Sequence, residues 1–239
     1  MTPILDRFDS TVSAFRPKTP VEFFALRLAQ KLNDTAAAAH YVELAGQYSE
    51  CDMMTAFRRA VRSSDHDRGR RFHVELHPHG NSGGNGRSAT EAAIRVERRA
   101  IAVAVFAGEH LSYTQVRQLS SVKDRALASA AGFINWITEQ FQLDSAAVES
   151  IPIKEEIHRK ALNDEVIRIL RDRMLPIWEV SKQDLFHAFG HPPLKSRKEL
   201  RQVISNIWPV LAGSNGKSFV QDAAALGLYV QTERLFILS

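Results

Sequence analysis

The stretch Trp136-Ile137-Thr138-Glu139-Gln140-Phe141-Gln142-Leu143-Asp144-Ser145-Ala146-Ala147-Val148-Glu149 decides the fold. Its first half ends a helical pattern that starts near Lys123, with Leu127, Ile134 and Ile137 on the inward face. Its second half is a short apolar strand closed by a carboxylate, Glu149. Upstream, residues 93–106 alternate in the manner of strands, with Ile94 and Val96, then Ile101, Val103 and Val105. Arg98-Arg99 is expected to turn between the two strands, and Leu111 to Leu119 reads as a third. Three strands, a helix and a further apolar strand predict an α/β sheet.

Downstream, the pattern predicts a helix over about 157–173 and a short strand over 176–180. Ser181 then caps a helix over 182–189. Further helices are expected over about 196–208 and 219–232. Asp222 opens the small-residue run Asp222-Ala223-Ala224-Ala225-Leu226-Gly227-Leu228. Trp136, Trp178 and Trp208 lie on apolar stripes and are expected in the core.

The first 65 residues read as a separate, helical and basic module. Residues 1–20 form an arm. Pro20 fits the first helical position behind a Thr19 cap. Val21, Phe24, Leu28 and Leu32 share one face of the helix that follows. A second helix is expected over 35–48 and a third from about Asp52, with Arg58, Arg59 and Arg62 on its outer face. Arg70 and Arg71 extend this basic stretch, and arginine's planar fork suits phosphate. Two readings stand for the module: a helix-turn-helix layout, or a small bundle with a solvated basic face. Residues 66–92, with the glycine-rich run 80–86, are expected to be a linker. The third segment, 93–239, is the α/β domain.

Composition bounds the rest. The chain has 239 residues, 44% apolar and 24% charged, which is ordinary for a globular protein. No apolar stretch approaches the roughly 20 residues of a membrane helix, so no membrane partner is expected. Residues 1–9 carry two acids and lack the apolar core of a signal peptide. The single cysteine, Cys51, excludes an internal disulfide and points to a reducing, cytoplasmic setting. A net charge of +4 allows nucleic-acid binding without demanding it.

Residues 93–232 resemble a RuvC-type Holliday-junction resolvase of the RNase H-like superfamily. The resemblance rests on Ile94-Arg95-Val96-Glu97, His110-Leu111-Ser112-Tyr113, the stretch quoted first, Leu175-Pro176-Ile177-Trp178-Glu179-Val180, and Asp222-Ala223-Ala224. It implies an RNase H-like mixed sheet flanked by helices, here preceded by the small helical module. Glu97, Glu149 and Asp222 match the family's metal-binding acids on its first strand, fourth strand and last helix. They would hold Mg²⁺ or Mn²⁺ in the two-metal hydrolysis of a phosphodiester. Arg98, Arg99, Lys182, Lys195, Arg197 and Lys198 would position the backbone of a nucleic acid, DNA by resemblance. A homodimer is likewise implied by the resemblance.

The chain departs from the family at three points. The first acid is glutamate instead of aspartate, with Arg98-Arg99 in place of a glycine turn; Phe219 stands at a second aspartate position; and the N-terminal 90 residues have no counterpart. Two readings of function follow. One is a metal-dependent, structure-selective DNA endonuclease. The other is a degenerate RuvC-like protein in which arginines neutralise the acids and the fold binds nucleic acid within a larger assembly. In that assembly, the helical module would dock a protein partner. A third reading, a transcription regulator reading duplex through residues 1–65, carries less of the sequence.

Two motifs stand apart. His73, Glu75, His77 and His79 recur at spacing two, which on a strand would suit Zn²⁺ or Ni²⁺. In a loop they are only solvated histidines. Gly213-Ser214-Asn215-Gly216-Lys217-Ser218 lacks the phosphate-loop spacing, because Leu211 stands where glycine is needed.

Overall fold

The structure is a computed structural model. It describes residues 15–47, 56–57, 60–61, 89–108, 110–152, 157–212 and 218–238. Arg58, Arg59, Arg62, Arg70, Arg71, Cys51, the histidine run 73–79, the glycine run 80–86 and residues 213–217 lie outside these.

The chain divides into two compact units. The first takes residues 1–87, 187–194 and 231–239. Its α1 (Pro20–Leu32) starts as expected, with Thr19 Oγ1 accepting from the Glu22 amide at 3.1 Å and proline in the first turn. Asn33, in the left-handed conformation, ends it. α2 (Thr35–Gln47) follows. Phe23, Phe24, Tyr41 and Phe57 are fully buried and pack ring on ring. Phe189 stacks on Phe23 at 4.3 Å, and Phe236 meets Phe57 edge-on. These aromatic contacts draw 187–194 and 231–239 into this unit, although the sequence places both segments in the α/β domain.

The second unit takes residues 88–186 and 195–230. It holds a five-stranded mixed sheet ordered β3-β2-β1-β4-β5. β1 (Thr90–Glu97), β2 (Ala100–Ala107) and β3 (His110–Gln118) form an antiparallel meander. β4 (Ser145–Glu149) and β5 (Ile177–Val180) add in parallel beside β1. The meander turns at Arg98-Arg99, as the sequence requires. α3 (Lys123–Phe141) returns the chain from β3 to β4, and α4 (Ile157–Asp172) from β4 to β5. α5 (Lys182–Ala188), α6 (Arg197–Ile207) and α7 (Ser218–Leu238) complete the elements. Ser181 and Ser196 cap α5 and α6.

The two faces of the sheet differ because alternate residues point to opposite sides. One face presents Ala92, Ile94, Val96, Ile101, Val103, Val105 and Val148, which pack with α3 and α4 into the main core. The other is lined with small residues, among them Ala93, Ala102, Ala104 and Ala147. A bulky face would hold a helix away. This one admits α7, whose Gly227 lies against the Phe106 ring. Two expectations need correction. Asp222 is the fifth residue of α7 and not in its first turn, because the helix already begins at Ser218. Trp136 is 44% exposed rather than core, because it lies beside the inward stripe of α3, and Trp178 and Trp208 are only half-buried. No helix among the described residues is long and apolar enough to cross a membrane.

Candidate functional site

β1, β4 and β5 run parallel, so their C-terminal ends lie at one end of the sheet. Glu97 ends β1 and Glu149 ends β4. Ile94 pairs with Val148, which brings the next residues, Arg95 and Glu149, side by side on the small-residue face. α7 crosses that face and delivers Asp222. The three acids singled out in the sequence therefore converge, although they are far apart along the chain.

They converge on arginines. Arg95 reaches Glu97 at 2.5 Å, touches Glu149 through Nη1, and has Nε 3.7 Å from Asp222 Oδ2. Arg159, from the first turn of α4, donates Nε to the Val96 carbonyl at 2.9 Å and Nη2 to Glu149 at 3.1 Å. Its Nε is also 3.8 Å from Glu97. Arg197 bonds Glu149 through Nη2 and approaches Asp222 at 3.6 Å. Arg201 grips Asp222 with two parallel bonds, Nε to Oδ1 at 2.9 Å and Nη2 to Oδ2 at 2.8 Å. Asn163 donates to the Glu149 carbonyl at 3.2 Å, tying the strand end to α4.

Burial makes these contacts count. Glu149 and Asp222 are 3% and 1% exposed, and Arg95 is 2% exposed. Burial draws the Arg95 guanidinium down to about 10, helped by the neighbouring Arg197 and opposed by Glu97. It still carries its charge at neutral pH. The paired bonds it donates to Asp222 hold the Arg201 guanidinium above its ordinary value. Phe219 lies under the Arg201 guanidinium at 5.9 Å. An apolar ring there supports a cation-π contact to the arginine.

For Mg²⁺ or Mn²⁺ the donor set does not fit. Such ions need carboxylate and water oxygens aimed at a common point. Here every one of the three carboxylates is engaged by a guanidinium, and Arg95 lies within reach of all three. A dication placed among them would face four buried or half-buried arginines in a poorly solvated site. Among the described residues, no group of three or more His, Cys, Asp or Glu side chains is arranged to hold a metal ion.

The remaining expected residues sit around this cluster. Arg98 and Arg99 are exposed in the β1–β2 turn, and the ion pairs of Glu97 with Arg95 and Arg159 carry the neutralising role expected of that turn. Arg197 belongs to the cluster itself rather than to a rim. Lys182, Lys195 and Lys198 are exposed near the starts of α5 and α6, with Lys182 over the Phe186 ring. Sequence reasoning missed Arg95, Arg159 and Arg201. Spacing carried the signal: Arg95 stands two before Glu97 on one strand face, and Arg197 and Arg201 stand four apart on one helix face.

No protein-family model matches the chain, and no curated protein matches it either. Solved structures do. A Thermus thermophilus RuvC structure superposes with TM-score 0.50 and 16% identity, covering 62% of this chain and 96% of that one. Thermus thermophilus RuvC in complex with a Holliday junction substrate gives TM-score 0.50 and 15% identity over 61% and 95% of the two chains. The fold is RNase H-like, of the RuvC kind. The yeast mitochondrial Holliday junction resolvase Ydc2 is also similar, at TM-score 0.45 and 11% identity over 65% and 85%.

Proposed function

We propose that this protein is a RuvC-like nucleic-acid-binding protein whose former catalytic cluster is closed by arginines, and that it binds without metal-dependent cleavage. The observation that carries this reading is Arg95. It occupies the space among Glu97, Glu149 and Asp222 that a cation would need. Three further arginines complete the neutralisation.

Binding is supported by what surrounds that cluster. Arg98, Arg99, Lys182, Lys195 and Lys198 are all exposed near the C-terminal ends of the parallel strands. A similar fold has been solved with a four-way junction. Exposed cations of this kind bind phosphate backbones independently of sequence. The sequence reading of a Mg²⁺-dependent endonuclease is thus the weaker of the two.

The test is incubation of the pure protein with labelled four-way junction, duplex and single-stranded DNA and with RNA, in Mg²⁺, Mn²⁺ or EDTA. Glu149→Gln and Asp222→Asn variants run alongside. Binding that is the same in EDTA, with no cleavage, is expected. Metal-dependent cleavage that disappears in both variants would overturn the proposal and restore the nuclease reading.

A further inference from the structure

Apart from the arginine cluster, the second unit contains a cavity of about 90 Å³. It is lined by Arg98, Arg99, Ser120, Ser121, Lys123 and His158, set over an apolar floor that includes Leu162. They come from three directions: the β1–β2 turn, the loop leading into α3, and the first turn of α4. Among the described residues that line it, none is acidic. The Ser120 Oγ accepts from the Val122 amide at 3.1 Å, which leaves its hydroxyl proton as a donor.

We infer that this cavity seats a single phosphate group. Donors converging from three sides suit a tetrahedral oxyanion better than a planar carboxylate, and an arginine fork beside serine hydroxyls is a strong phosphate ligand. The start of α3 adds to this. Val122 occupies its N-cap position with no side-chain cap bond, so the first-turn amides keep their donor capacity toward an anion. Asp124 lies in that turn but is exposed and outside the cavity lining.

Placement gives the seat its use. Arg98 follows Glu97 and His158 precedes Arg159, so the cavity borders the arginine cluster through two chain neighbours. A strand anchored by one phosphate there would pass the β1–β2 turn, where Arg98 and Arg99 are exposed. This step rests on the nucleic-acid reading above; the cavity's chemistry does not. The same seat would accept a phosphate of a polynucleotide or of a free phosphorylated molecule.

Two measurements on the full chain separate these sources. The first is a titration with inorganic phosphate at constant ionic strength, following backbone amides 121–124 and the His158 ring by NMR. The second is DNA-binding anisotropy against salt for wild type, for Arg99→Ala/Lys123→Ala, and for a control of equal charge change on the surface of α4, Lys160→Ala/Arg168→Ala. Phosphate is expected to shift the signals of the cavity. The cavity variant is expected to lose those shifts, weaken DNA binding about tenfold and lower the salt slope by about 1–2. Its far-UV spectrum is expected to match wild type. The control is expected to do none of this. Cavity shifts without binding of any nucleic acid would uphold the seat for a free phosphorylated ligand and sink the nucleic-acid reading. Nucleic-acid binding with no phosphate shifts, and with a cavity variant equal to the control, would overturn the seat alone.

Discussion

Arg201 and Asp222 meet in a bidentate pair, with donor–acceptor distances of 2.9 and 2.8 Å, and Asp222 is almost wholly buried. The pair fixes α6 to α7 over the sheet, and it reverses the usual consequence of removing an acid from a nuclease centre. In a bare carboxylate cluster, neutralising one acid relieves repulsion and stabilises the apo protein. Here Asp222 also faces Arg95 and Arg197. Asp222→Ala strands three guanidiniums, and breaking such a pair costs about 3–5 kcal/mol. Arg201 keeps 28% side-chain exposure, so the low end, about 3 kcal/mol, is expected. Urea unfolding reads this directly as a lower midpoint. A midpoint that rises in Asp222→Ala would mean the acids repel one another and the arginines do not hold them.

Divalent metal is expected to leave stability unchanged. A site that binds Mg²⁺ in the folded state only would add about 2.7 kcal/mol at a hundredfold excess over its dissociation constant. With Arg95 among the acids, 10 mM Mg²⁺ or Mn²⁺, taken as roughly a hundredfold excess for a moderate site, is expected to shift the thermal midpoint no more than Ca²⁺-free sodium salt of equal ionic strength. A rise specific to Mg²⁺ or Mn²⁺ would contradict the closed cluster.

Arg95 makes a pH prediction with a definite sign. Its folded value, about 10, lies below that of a free guanidinium. Burial is the main cause, so the folded state binds this proton less well than the unfolded chain does. The destabilising contribution is constant below about pH 10 and is relieved as pH rises from there. Wild type and Arg95→Met carry the same lysines and tyrosines, so their difference in unfolding free energy isolates this group. That difference is expected to be flat from about pH 6 to 9 and then to move in favour of wild type, by at most about 1.4 kcal/mol per pH unit. A slope already present near neutrality would place the titration elsewhere.

Much of the sheet was legible because its strands alternate and its helices carry clear caps. Thr19 and Ser181 each cap the start of a helix where the sequence expects one. The convergence of Glu97, Glu149 and Asp222 was legible for the same reason: strand ends and a small-residue helix can meet at only a few places on this topology. What the acids meet was not. Arg95 reads as a surface residue on an alternating strand, and only the alanine-lined face turns it inward beneath α7. Arg159 and Arg201 sit on helices whose rotation about their axes depends on packing and not on local pattern. The reach of Phe189 and Phe236 into the first unit was hidden too, because an aromatic on an apolar stripe does not say which core it enters.

Gly227 tests how closely α7 must approach the sheet to deliver Asp222. A Cβ at this position would lie 2.8 Å from Cδ2 of Phe106 and closer still to Cε2. Phe106 is fully buried and also packs against Trp208 at 5.9 Å, so its ring has little room to retreat. Replacing a helical glycine by alanine ordinarily gains about 1 kcal/mol in helix propensity. Overpacking of a close-packed interior costs about 1–3 kcal/mol. The overlap here is with a rigid ring and not with the end of a flexible chain, so the packing loss is expected to win, and Gly227→Ala to be destabilised by about 1–2 kcal/mol. Adding Phe106→Leu is expected to recover part of that loss, because the double variant gives the new methyl space. Chemical denaturation of the two single variants and the double variant measures the coupling. Gly227→Ala as stable as wild type would mean that α7 sits farther from β2 than the register of Asp222 with Arg95 and Arg201 requires.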